Sequence, residues 1–139
     1  MIIDKFLQVS DNQTVTASAA STDVIDFGQA TPDIGIGDTY MVITVSESVT
    51  AAGAATVTFS VQDSANNSSF ADVAVTAAIP KTALSAGRQI VIPMPTSLRR
   101  YCRVYYTVGT GPLTAGKFSA QLVAGFQQNT PKPDSPRIA

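Results

Sequence analysis

"AATVTFSVQD", residues 54–63, alternates without a break: Val57, Phe59 and Val61 fall on one side of an extended chain, and Thr56, Thr58, Ser60 and Gln62 on the other. Successive side chains of a strand point to opposite faces, so this is a strand with one face in a core and one in water. The same reading extends in both directions. "TYMVITVS" (39–46) sets Tyr40, Val42 and Thr44 against Met41, Ile43 and Val45 and is apolar on both faces, which predicts a central strand. "FADVAVTAA" (70–78) places Val73 and Val75 together, and "QIVIP" (89–93) is short and stops at a proline. "KFSAQLVAGF" (117–126) alternates Phe118, Ala120, Leu122, Ala124 and Phe126. Two weaker runs, "TVTASAA" and "TDVIDFG", come before these.

Between the runs lie "PDIGIGD", "TAAGAA", "DSANNSS", "SAGR", "PMP" and "GTGPLTAG", each holding the glycine, proline or asparagine that turns need. About eight short strands without crossover helices predict an all-β antiparallel sandwich or barrel. A jelly roll suits the strand count best, with an open Greek-key sandwich as its rival. The expected organisation is an N-terminal arm at 1–13, a β-sandwich domain at 14–126 and an extended C-terminal tail at 127–139. That tail, "QQNTPKPDSPRIA", has three prolines and little to bury.

Composition narrows the function. A chain of 139 residues suits one domain. Its net charge of −1 gives no general attraction to nucleic acid or anionic membrane. Histidine is absent, which removes the commonest general base and zinc ligand, and the single glutamate is Glu47. The one cysteine, Cys102, forms no internal disulfide and falls on the core side of its run, so it reads as a buried thiol without an activating base. Asp23, Asp26, Asp33 and Asp38 are too loosely spaced for a calcium loop and read as turn residues. "GIGD" (35–38) lacks the lysine and helix of a phosphate loop. No enzyme, cofactor or metal site is expected. The opening "MIIDKFLQVSDNQ" is no secretion signal, and no apolar run approaches the roughly 20 residues of a membrane-spanning helix. A soluble protein made in a cytoplasm, without a membrane partner, is the expectation.

The richest chemistry lies in "LRRYCRVYYTVGTGP" (98–112), where three arginines and three tyrosines share eight positions. On a strand, Arg99, Tyr101, Arg103 and Tyr105 form the outer row, and Cys102, Val104, Tyr106 and Val108 the inner one. Arg100 falls with the inner set but, near the strand end, can lead its guanidinium out to the rim. The outer row could stack and clamp a single nucleic-acid strand, contact a protein, or be a solvated strand face. Near-neutral charge and the lack of further basic clusters disfavour nucleic acid and leave a protein-facing surface as the preferred reading. A second contact candidate is the polar loop "DSANNSSFADV" (63–73), with Asn66, Asn67 and Phe70. A third is the tail, with Pro131 and Pro133.

Two long segments also resemble a known family. "FLQVSDNQTVTASAASTDVIDFG" and "RRYCRVYYTVGTGPLTAGKFSAQLVAGFQQ" are similar to the small cement (decoration) proteins of tailed bacteriophages, of the type first described for a Bordetella phage. The family's opening pattern matches Asp4, Leu7, Ser10 and Gln13, then Ile25, Asp26 and Gly28. Its late pattern matches Arg100, Tyr101, Arg103, Tyr105, Tyr106, Thr107, Val108 and Gly109, then Thr114, Ala115 and Gly116; Cys102, where a small apolar residue is expected, departs from it. The resemblance implies a jelly-roll homo-oligomer, dimer or trimer, on the outer surface of an icosahedral virion, where it binds the phage major capsid protein and cements its subunits. It implies no enzymatic activity. The alternatives are a tail- or fibre-associated sandwich and a carbohydrate-binding module using Tyr101 and Tyr105.

Overall fold

The alternating runs become strands of two antiparallel layers in the computed structural model, which describes residues 2–34 and 37–127. In chain order these are β1 (Gln8–Thr14), β2 (Ala19–Ala20), β3 (Ile25–Asp26), β4 (Thr39–Thr50), β5 (Thr56–Ser64), β6 (Ala71–Val75), β7 (Ile79–Pro80), β8 (Gln89–Pro93), β9 (Tyr101–Gly109) and β10 (Ala115–Ala124). Short 3₁₀ turns at Lys5–Leu7 and Lys81–Ala83 are the only helical elements among the described residues.

One sheet, A, runs β1-β10-β4-β8. The other, B, runs β2-β9-β5-β6, with β3 also paired to β9 and β7 to β5. With β2/β3 and β6/β7 each taken as one interrupted strand, eight strands remain among the described residues. The chain changes sheet at every connection except the β5–β6 hairpin. That order is a jelly roll and not an open Greek-key sandwich.

The core lies between the sheets. Phe59 of β5 and Tyr106 of β9 face Phe118 of β10, all without solvent exposure. Phe118 stacks on Tyr106 at 5.3 Å between ring centroids and meets Phe59 edge-on at the same separation. Such pairs each add about 0.5–1.5 kcal/mol beyond the area they bury, and here they join one layer to the other. As expected, β4 is central: it lies between β10 and β8, and Met41, Val42, Ile43 and Val45 are all buried. It runs four residues past the expected end at 46, to Thr50.

The N-terminal boundary needs correction. Residues 8–13, expected in the arm, belong with Thr14 to β1, an edge strand paired to β10. Register shifts on both sides of Ser10 break the alternation, so Val9 and Ser10 are buried in succession. Only residues 2–7 of the expected arm precede the sheet. The expected tail lies outside the described residues apart from Gln127, which leaves Pro131 and Pro133 without structural description.

The residues that carried the resemblance prove to be fastenings of this fold. Asp4 caps the first 3₁₀ turn, its Oδ1 accepting from Phe6 N at 2.9 Å. Tyr106 Oη donates to Ser10 Oγ at 2.7 Å across the core, and Ser10 donates onward to Gln13 Oε1 at 2.8 Å. The Gln13 amide then behaves like a peptide group: its Nε2 donates to Ala20 O and its Oε1 accepts from Thr22 N. Asp26 Oδ1 accepts from Gly28 N at 2.8 Å, a turn that Gly28 permits by taking φ +73°.

Candidate functional site

The outer face of sheet B carries the row expected from sequence. β9 is bordered by β5 on one side and by β2 and β3 on the other, so its outward side chains sit mid-face. The alternation holds: Cys102, Val104 and Tyr106 are buried, while Tyr101, Arg103 and Tyr105 are half-buried and point outward. Desolvation, aided by the nearby Asp63 charge, pushes the Cys102 thiol up to about 12, so it stays protonated and inert.

Arg99 does not belong to that row, which corrects the expectation. It precedes β9 and is held by Asp63, a carboxylate with only 4% exposure that follows Val61 on the inward side of β5. Arg99 N donates to Asp63 Oδ2 at 2.9 Å and Arg99 Nε to Oδ1 at 2.8 Å; Nη2 adds the Asp63 carbonyl at 2.8 Å. A buried carboxylate needs such a partner, so Arg99 is bound to internal duty. Arg100 does reach the rim as expected. Its Nε and Nη2 grip the two oxygens of Asp26 at 2.7 and 2.9 Å, and the hydrogen bond from Arg100 brings the Asp26 carboxyl down to about 2. Asp26 is therefore engaged by Arg100 and by Gly28.

Arg103 is arranged differently. Its guanidinium lies 3.7 Å from the Phe70 ring centroid and 5.8 Å from that of Tyr105. Its Nε donates to Gln62 Oε1 at 2.9 Å, and Gln62 Nε2 donates to Asp72 Oδ1 at the same distance. Gln62 and Asp72 occupy the facing positions on β5 and β6, so the chain Arg103–Gln62–Asp72 crosses three strands. Because the Gln62 amide nitrogen donates to Asp72, its oxygen turns towards Arg103.

The loop between β5 and β6 sets the aromatic platform. Asn66 Oδ1 accepts from the Ser64 hydroxyl and from the backbone N–H groups of Ser68 and Ser69, within 3.1 Å in each case. Asn67 takes φ +57°, a conformation asparagine tolerates. Asn66 and Asn67 thus shape a closed turn that delivers Phe70 to Arg103. Beyond Tyr105, on β6, the apolar Val75 is 56% exposed opposite Ser60.

Sequence reasoning missed the partners Asp63, Gln62, Asp72 and Asp26. Asp63 was the detectable one: continuing the Val57, Phe59, Val61 alternation puts an acid on the core side, where a cation has to meet it. Apolar side chains are exposed elsewhere too: Ile2, before the first 3₁₀ turn, and Phe6, within it, are 96% and 91% exposed, and Phe126, just after β10, packs edge-on against Tyr40 of β4.

A family model described as Bbp16 matches residues 9–122, which reaches from β1 into β10 and so touches every strand. Comparison with curated proteins gives no match.

Proposed function

The chain belongs to the Bbp16 family of phage proteins, and from that premise we propose that it is a structural protein of the virion that binds the outside of an icosahedral capsid and cements the major capsid subunits. The observation that carries this reading is the Tyr101–Arg103–Tyr105 row. It is an aromatic and cationic surface fixed on a central strand of a rigid sandwich and bordered by a turn that holds Phe70 in place. Tyrosine and arginine are enriched at the energetic centres of protein interfaces, tyrosine because it presents a large contact area with few torsions to freeze and arginine because its planar fork makes directed, charge-assisted hydrogen bonds. A chain without histidine and with one glutamate is poorly supplied for acid–base chemistry. Many copies on one shell would act together, so modest affinity per copy is enough.

The test is to mix the purified chain with capsids lacking it and to sediment them. Co-sedimentation, with particles that withstand heating better than bare ones, is the expected result. A chain that stays in the supernatant at saturating concentration overturns the proposal.

A further inference from the structure

Among the described residues four arginines occur, and two are paired with carboxylates: Arg99 is held by Asp63 and Arg100 by Asp26. Arg88 has no carboxylate partner, but it is exposed to water and donates to the Ala83 carbonyl at 2.9 Å. Arg103 alone combines a missing carboxylate partner with partial burial under an aromatic ring. Its only hydrogen-bond acceptor among the described residues is the neutral Gln62 oxygen at Nε, while its two Nη groups, four N–H donors, have none. No carboxylate among the described residues pairs with it, yet Phe70 covers one side of the guanidinium. A cation stripped of part of its water and left without a counter-charge is an unfinished arrangement. Its geometry is nonetheless fixed twice, by Gln62 at Nε and by the Phe70 ring under its plane. What remains open is the end-on fork, which matches the two oxygens of a carboxylate.

We propose that Arg103 is an anchor for an acidic side chain, Asp or Glu, on the capsid surface, received by its two Nη groups above the Phe70 platform. This rests on the capsid-binding reading and adds the chemistry that the receiving surface must offer. A polyphosphate chain suits the face poorly, because Asp26 and Asp72 stand on it beside a single open guanidinium. A second copy of this chain is also a poorer fit. The acids its matching face presents in that row, Asp26 and Asp72, are already hydrogen-bonded within their own chain.

The experiment is a binding isotherm to undecorated capsids for the wild-type chain and for Arg103→Ala, Arg103→Lys and Phe70→Ala, with the oligomeric state of each followed by light scattering. Arg103→Ala is expected to weaken binding by about 30-fold or more, the scale of an interface hot spot. Arg103→Lys keeps the charge but not the planar fork and should recover only part of this. Phe70→Ala should fall between wild type and Arg103→Ala. Raising salt should weaken wild type far more than Arg103→Ala. Unchanged thermal unfolding of Arg103→Lys shows that the fold is kept even where Arg103→Ala is not stable. If wild type binds and both Arg103 variants bind equally well, the anchor is refuted while the capsid reading stands. If the variants change oligomeric state and leave capsid affinity unaltered, the occupant is a second copy and the proposal is overturned. Wild type failing to bind removes the capsid reading and the anchor together.

Discussion

Replacing Tyr106 by phenylalanine tests whether the two layers are joined by a hydrogen bond as well as by packing. The ring is fully buried, stacked on Phe118 and edge-on to Phe59, and phenylalanine preserves both contacts. What is lost is the 2.7 Å bond from Tyr106 Oη to Ser10 Oγ. Ser10 keeps its own donation to Gln13, so one buried acceptor site is left empty and no buried donor is stranded. The expected loss is about 1–2 kcal/mol, or a drop of roughly 3–8 °C in Tm for a chain of this size. Ser10→Ala is the harsher change, since it leaves the Tyr106 hydroxyl as a buried donor facing a methyl group, at about 1–3 kcal/mol. With both substitutions the hydroxyl pair is gone, and the cost should fall below the sum of the singles by about 1 kcal/mol. Urea unfolding of the four chains followed by circular dichroism, with a common m value, measures that coupling. Additivity within about 0.3 kcal/mol would mean that the bond does not tie β1 to β9, and a neutral Tyr106→Phe would say the same.

Alkaline pH should loosen the fold along a predictable slope. Burial pushes Cys102 from 9.0 and Tyr106 from 10.0 up to about 12, so above pH 9 the unfolded chain holds fewer protons than the folded one. Stability then falls as pH rises, by about 1.4 kcal/mol per unit between 9 and 10 and about twice that between 10 and 12. Urea midpoints across that range check it, and Cys102→Ala should flatten the first part. Gly109→Ala should destabilise by about 1–3 kcal/mol, because the new Cβ would stand 2.7 Å from Thr56 Oγ1. Adding Thr56→Ala should restore most of the loss in thermal unfolding, and a Gly109→Ala chain as stable as wild type contradicts that close approach.

What the sequence disclosed follows from what alternation can encode. In β5 and β9 the apolar residues recur every second position, and their buried apolar residues were legible, Cys102 and Tyr106 included; Ser60, which alternation puts on the water side, and Asp63 are buried as well and were missed. β1 was not legible. "QVSDNQT" holds a single apolar residue, Val9, and becomes a strand because β10 offers an edge and because Ser10 and Gln13 find partners in Tyr106, Ala20 and Thr22. These partners lie up to 96 positions away, beyond any local pattern. The outer row was legible as a face but not as a set of bonds. Periodicity assigned Arg99 to it, and only the fold shows that a chain position two residues before the strand lies against Asp63. Likewise Phe70 was visible as a loop aromatic, and its place beneath Arg103 depends on the turn that Asn66 closes. Capsid cementing came from the resemblance of whole segments, and most of their matched residues now have structural roles that any member of such a fold could need.

The side-chain amide of Gln13 has a consequence for crowding. β2 is an outer strand of sheet B, and outer strands expose unpaired backbone groups that can recruit a strand from another molecule. Gln13 takes up Ala20 O and Thr22 N, groups at and just beyond β2, with a single side chain of its own molecule. The corner between the two layers is thus closed to strand addition without a further strand. A neighbouring copy therefore finds no free backbone pair at this edge to extend the sheet across.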